Sequence, residues 1–149
     1  MENPAEVELA LWFHDAIYDV ERSDNEEQSS SWARSELVSH GVNAPSADCV
    51  HSLIMVTKHS GLPVTEDEKV IADIDLSILG ASEARFDEYE RQVRAEFAFV
   101  PASLFVRKRR AILESFLGRS TIYKTEHFVC SLEQQARANL RRAIGKNAD

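Results

Sequence analysis

The chain has 149 residues, 44% of them hydrophobic and 28% charged, which is ordinary for one soluble globular domain that buries a real core. Its formal net charge of −8 argues against a general nucleic-acid-binding surface. Two distant cysteines do not indicate a disulfide framework or a zinc ribbon. The segment MENPAEVE lacks the basic and apolar regions of a signal peptide, and no apolar run approaches membrane-spanning length. We therefore expect a cytoplasmic protein with no nucleic acid and no membrane among its partners. Few glycines and prolines favour long helices.

The segment ELALWFHDAIYD predicts a first helix that runs to about Tyr18. Apart from the pair His14 and Asp15, this helix is apolar nearly all round, which is typical of a buried helix. A buried carboxylate normally has a charged partner or holds a metal. Adjacent side chains diverge by about 100° on a helix but can still converge on one ion between them. The apolar positions form two stripes: Leu9, Trp12, Phe13, Ala16, Ile17 and Val20, and beside them Leu11 and Tyr18.

Asp24 begins the second predicted helix, and the spacing Asp24-x-x-Glu27 reads as a capping box that assigns a capping role to the acidic pair Glu26 and Glu27. That helix ends at Gly41. Ser46 begins the third helix, which stops before Gly61-Leu62-Pro63. Its core stripe is Val50, Leu53, Ile54 and Thr57, and we interpret His51 on the neighbouring stripe as an ordinary histidine.

Thr65-x-x-Glu68 is a second capping box and opens the fourth helix, which ends at Gly80. The predicted inward stripe is Val70, Ile71, Ile74 and Ile78. Asp75 falls among these apolar positions, so we expect it on the buried side, where it needs a charged partner or an ion. Asp73 falls nearer the rim and reads as a helix-surface aspartate.

Three further helices are predicted: one capped by Ser82 and running to about Phe99, one from Pro101 to Gly118, and one capped by Thr125. The sixth helix contains the basic run 107–110, interpreted first as a solvated face and second as a cluster that attracts a phosphorylated substrate. His127 reads as structural. The fold class is therefore all-α, a bundle of about six or seven helices in a single domain, 1–149.

The doublet His14-Asp15, followed by SDNEEQSS at 23–30, DIDLSILG at 73–80 and IYKTEHF at 122–128, resembles the HD superfamily of metal-dependent phosphohydrolases. The order and spacing of these segments are similar to those of a bacterial branch of predicted phosphohydrolases. The resemblance covers the chain from about Glu8 to about Ile144. The resemblance implies an HD-domain-like helical bundle and hydrolysis of a nucleotide or another small phosphate ester.

The resemblance also implies a site. His14, Asp15 and Asp75 match three of the family's four ligand positions for a divalent ion, and their donors suit Mn, Fe, Co, Ni or Zn. Asp15 is a candidate for orienting the attacking water, and Lys58 for balancing the phosphate charge of a small phosphorylated substrate. His59 is the candidate for the remaining ligand. The acidic pair Glu26 and Glu27 also follows the doublet in this branch, so support of the site is the alternative to the preferred capping role.

The family's first ligand is a histidine on an earlier helix, and no histidine precedes His14 here. Three explanations stay open: the chain begins upstream, His59 or another group completes the site, or the site is empty. An absent helix would leave Leu9, Trp12 and Phe13 uncovered, which predicts a homodimer. The alternative to a phosphohydrolase is a non-catalytic HD-fold binding or interaction protein with an incomplete metal site.

Overall fold

The computed structural model describes residues 1–146, which form seven α-helices and one 3₁₀-helix and contain no β-strand. The prediction of an all-α fold with six or seven helices is confirmed. The helices are α1 (Pro4–Phe13), α2 (Asn25–Ser39), α3 (Ala44–Val56), α4 (Glu66–Asp75), the 3₁₀-helix (Leu76–Gly80), α5 (Glu83–Glu96), α6 (Ala102–Leu117) and α7 (Glu126–Lys146). Within the described range, no helix combines the length and the apolar composition needed to cross a membrane.

The chain divides into two compact units, Met1–Asp75 and Leu76–Asp149. The first contains α1 to α4, and the second contains the 3₁₀-helix and α5 to α7. Each unit has its own buried apolar cluster. The single domain expected from chain length stays a prediction.

The core of the first unit is built largely from α3, whose predicted stripe of Val50, Leu53, Ile54 and Thr57 is buried as expected. The helix begins two residues before the predicted Ser46, because the side chain of Asn43 accepts a hydrogen bond from the Ser46 N–H at 3.0 Å and caps the first turn. The other buried apolar residues of this core are Val7, Ala10, Ala33, Leu37, Ala47 and Ile71.

The predicted extent of α1 is wrong, because the helix ends at Phe13 rather than near Tyr18. The backbone N–H and carbonyl of Ile17 are instead hydrogen-bonded to the Ser29 hydroxyl of α2, at 3.0 and 3.1 Å. Side-chain bonds of this kind compete with helix formation. The helix is also not buried all round, since Trp12 is 77% exposed. His14 therefore lies at the helix end and Asp15 in the turn that follows.

The two predicted capping boxes have opposite outcomes. At α4 the box is present: the Glu68 N–H donates to the Thr65 hydroxyl at 3.2 Å, and the Thr65 N–H donates to the Glu68 carboxylate at 3.0 Å. At α2 the prediction is wrong, since the side chain of the N-cap residue Asp24 makes no capping hydrogen bond. The Asp24 carboxylate accepts hydrogen bonds from the side chains of Arg22 and Gln28 instead.

The two aspartates of α4 also correct the sequence interpretation. Asp73, expected on the surface, is only 1% exposed and is among the most buried polar residues. Asp75 is partly buried, as predicted, but it is the last α-helical residue, because the chain tightens into the 3₁₀-helix at Leu76. Helical spacing alone therefore assigned Asp73 to the exposed face of this short helix, whereas the structure buries it.

In the second unit, the 3₁₀-helix packs against α7 at very short range. A Cβ atom built on Gly80 would lie 2.6 Å from the Leu132 Cβ, so only glycine allows this approach. The carbonyl of Leu76 accepts a hydrogen bond from the buried Tyr123 hydroxyl at 3.1 Å. The carbonyls of Leu79 and Ala81 accept from the buried Asn139 amide, each at 2.9 Å.

The basic run on α6 is divided between solvent and ion pairs. Arg107 and Lys108 are exposed, whereas Arg109 and Arg110 pair with carboxylates on α5 and α6. The helix begins after Pro101 and ends before Gly118, as the sequence predicted.

Candidate functional site

His14 is fixed at the end of α1 by its own helix. Its Nδ1 lies 2.7 Å from the carbonyl oxygen of Leu11. A carbonyl oxygen can only accept a hydrogen bond, so Nδ1 carries a proton. In the neutral imidazole the other ring nitrogen, Nε2, therefore carries no proton and has a lone pair available. Metal-binding histidines commonly make this same bond to a backbone carbonyl, which sets the tautomer and the ring orientation.

Two carboxylates face that Nε2 atom from separate elements. Asp15, in the turn after α1, places Oδ2 at 3.2 Å, and Asp75, at the end of α4, places Oδ1 at 3.4 Å. The Asp15 side chain is 71% exposed, whereas the side chains of His14 and Asp75 are mostly covered. The sequence expectation that Asp75 lies beside the His14-Asp15 doublet agrees with this placement.

His59 holds the other side of Asp75. Its Nε2 lies 2.7 Å from Asp75 Oδ2, at the distance of a strong hydrogen bond, so each carboxylate oxygen of Asp75 has an imidazole beside it. His59 adopts φ +53°, the only positive φ of a residue other than glycine in the described range. Such a backbone conformation is costly and persists where the surrounding contacts require it, often at functional sites. As placed, His59 orients Asp75, whereas the sequence interpretation made it a metal ligand.

The electrostatics of the cluster favour a cation at His14 Nε2. Hydrogen bonds to Asp15 and then Asp75 raise the pKa of His14 to about 10, although burial opposes the shift. Burial by itself raises the pKa of Asp75, but hydrogen bonds from His14 and His59 outweigh it and lower the pKa to about 2. Two anionic carboxylates therefore face one ring nitrogen, which must carry either a proton or another cation.

The donor set fits a divalent cation in kind and charge. With His14 neutral, Asp15 and Asp75 contribute two negative charges, and the three groups offer one nitrogen and two carboxylate oxygens. Ligands that share such an ion lie roughly 3.0–3.6 Å apart, and both measured separations fall in that interval. As they stand, however, no three His, Cys, Asp or Glu side chains among residues 1–146 form a group that could hold an ion. The chemistry fits, and the arrangement is that of a proton-bridged cluster.

Lys58 points toward α2 rather than into this cluster. Its ammonium forms an ion pair with Glu27 Oε1, and this hydrogen bond raises the pKa of Lys58. The second Glu27 oxygen, Oε2, is buried without a hydrogen-bond partner among the described residues. The preferred capping role of Glu27 did not include this ion pair, although support of the site was the alternative. The available signal was the position of the acidic pair soon after the His-Asp doublet.

The chain matches no protein-family model, no curated protein and no solved structure.

Proposed function

We propose that the chain is a metal-dependent phosphohydrolase that acts on a nucleotide or another small phosphate ester. The observation that carries the proposal is the environment of His14 Nε2. In the neutral imidazole the proton is on Nδ1, which is hydrogen-bonded to the Leu11 carbonyl, so Nε2 has a free lone pair. Carboxylates from two elements face this Nε2 atom. The resemblance of the doublet and its companion segments to the HD superfamily gives the same reaction class.

Each side chain then has a distinct task. A divalent ion held by His14, Asp15 and Asp75 would polarise a phosphoryl oxygen and lower the pKa of a bound water. Asp15 is the most exposed of these groups, so its carboxylate is accessible to accept a proton from the attacking water. His59 keeps Asp75 in place. Lys58 is paired with Glu27 on α2, so its two remaining N–H groups would meet a phosphate oxygen only if the side chain turned toward the cluster.

The test is metal content and phosphatase activity measured on the same preparations. Wild-type protein is loaded in turn with Mn, Co, Zn, Ni and Fe and assayed on nucleotides and small phosphate esters. His14→Ala, Asp15→Ala and Asp75→Ala should each lower metal affinity by more than the roughly 10–100-fold typical of outer-shell changes. Activity should fall in parallel with metal content.

Matched controls come from outside the site. His127→Ala and Asp48→Ala remove the same side-chain types from exposed positions, and both should bind metal and hydrolyse substrate as the wild type does. Wild-type protein that binds none of the five ions and hydrolyses nothing on the panel would overturn the proposal. Equal metal loss in the controls would do so as well.

A second candidate is a non-catalytic helical binding protein. The same contacts favour it, because a protonated His14 satisfies both carboxylates and ties the end of α1 to the end of α4. In that case His14→Ala should lower the free energy of unfolding in metal-free protein, and added metal should not raise it for the wild type.

We also propose that the chain functions as a cytoplasmic homodimer. Both cysteines are free thiols, and Trp12 is 77% exposed on α1. Exposed aromatic residues of this size are enriched at subunit interfaces. Sedimentation velocity should show a dimer at micromolar concentration that Trp12→Gln shifts toward monomer. A wild-type protein that sediments only as monomer would contradict the dimer.

A further inference from the structure

A groove of about 390 Å³ lies in the second unit, where α5, α6 and the end of α7 meet. Its volume is in the range of small-molecule sites. Phe105, Val106 and Ala143 form an apolar floor, and Arg91, Arg94 and Lys146 stand around it. An apolar surface with a few charged groups at its edge is the usual composition of a ligand site.

The two acidic residues of the groove are each ion-paired, and Arg142 and Arg109, their nearest cations, do not line the groove. Asp87 accepts a hydrogen bond from Arg142 at 2.5 Å, and Glu90 pairs with Arg109. Lys146, which does line the groove, also pairs with Asp87 at the longer distance of 3.3 Å, so three cations face the two carboxylates before Arg91 and Arg94 are counted. The local balance is therefore positive, although the whole chain carries a net charge of −8.

Two arginines of the groove have no carboxylate partner among residues 1–146. Arg91 makes no ion pair or hydrogen bond there and is exposed. Arg94 donates to the carbonyl of Phe97 at 2.7 Å, and its guanidinium lies 4.8 Å above the Phe105 ring. These contacts fix the guanidinium while leaving most of its five N–H donors unused. The two arginines are three residues apart on α5 and share one face.

We propose that this groove binds a small aromatic anion. A flat apolar body fits against Phe105 and Val106, and a sulfonate, carboxylate or phosphate group accepts hydrogen bonds from Arg91 and Arg94. Guanidinium groups recognise such planar or tetrahedral anions with paired N–H donors. The site uses only residues of the second unit, so it does not depend on the proposed phosphohydrolase activity.

The probe is 2-naphthalenesulfonate, which no phosphohydrolase can cleave, titrated calorimetrically into the full chain. Binding should occur at micromolar to millimolar concentration, and Arg94→Gln should weaken it by about tenfold or more. Arg91→Gln should also weaken it, and this exposed, unpaired residue can be changed without loss of folding. Arg107→Gln is the control, because it removes the same charge from an exposed position of α6 that does not line the groove.

Two further ligands separate the parts of the proposal. Sulfate should bind at least tenfold more weakly than the aromatic sulfonate, and neutral 2-naphthalenemethanol should do the same. Equal binding of sulfate would overturn the aromatic part, and equal binding of the alcohol would overturn the anionic part. No heat at millimolar sulfonate, or the same affinity in the Arg91, Arg94 and Arg107 variants, would overturn the whole inference.

Discussion

The substitution Asn139→Leu tests how the buried hydrogen bonds of Asn139 stabilise the second unit. The Asn139 side chain is fully buried and makes four hydrogen bonds. The amide N–H groups donate to the carbonyls of Leu79 and Ala81, each at 2.9 Å, and the amide oxygen accepts from Gln135 and Arg142 at 3.1 and 3.0 Å. Asn139→Leu keeps a similar volume and removes all four bonds. The two carbonyls at the end of the 3₁₀-helix then lose their only described side-chain donor.

A buried group left without its hydrogen-bond partner costs about 1–3 kcal/mol. Leu79 is buried and Ala81 is half-buried, so water can reach the second carbonyl more easily. We therefore expect Asn139→Leu to lower the free energy of unfolding by about 2–4 kcal/mol. That is a large share of the roughly 5–15 kcal/mol typical of a domain.

Urea unfolding followed by far-ultraviolet circular dichroism measures this loss. Gln135→Leu is the matched control, because it deletes one neutral hydrogen bond to the same amide oxygen, and it should cost less than about 1 kcal/mol. A loss below about 0.5 kcal/mol for Asn139→Leu, the size of an ordinary surface change, would refute the reasoning.

Three other predictions concern the backbone and one carboxylate. His59→Gly should be more stable than His59→Ala by about 1–2 kcal/mol, because both lack the imidazole and only alanine is strained at φ +53°; equal urea midpoints would contradict this. Gly80→Ala should cost about 1–3 kcal/mol through its clash with Leu132, while Gly145→Ala, with open space around it, should be neutral or stabilising in the same urea assay. Burial tends to raise the pKa of Asp67, but hydrogen bonds that its carboxylate accepts from the backbone N–H groups of Glu2 and Asn3 lower this pKa overall. The stabilisation is therefore complete above the ordinary carboxyl pKa of about 3.8 and is lost as pH falls through the lower native value; a thermal-stability gap between wild type and Asp67→Asn that stays constant below that pH would argue against it.

Local signals predicted the boundaries of most helices. Thr65 and Glu68 form the expected box because both partners lie within one turn, and α6 begins after Pro101 and ends before Gly118 as expected. The end of α1 could not be predicted in this way. It depends on the Ser29 hydroxyl, twelve residues farther along the chain, which accepts from the Ile17 N–H and donates to the Ile17 carbonyl.

The candidate site was predictable in its members but not in its contacts. The doublet and the apolar stripe of α4 selected His14, Asp15 and Asp75, which the structure brings together. The hydrogen bond between His59 and Asp75 forms with His59 in the left-handed backbone region, and helical periodicity does not predict such a conformation. The prediction that Asp73 lies on the surface was wrong for a related reason. The helix α4 has only ten residues, and which of its side chains are buried depends on the neighbouring helices rather than on its own apolar stripe.

The division of the chain after Asp75 has an optical consequence. The sequence has two tryptophans, Trp12 and Trp32, and both belong to the first unit. Trp32 packs edge-on against Phe13 with ring centroids 5.3 Å apart, whereas Trp12 is largely in solvent. Indole emission therefore reports on the first unit alone, while circular dichroism averages the helices of both. Fluorescence and dichroism curves that separate during denaturation would show two units melting independently, and coincident curves would show one cooperative transition.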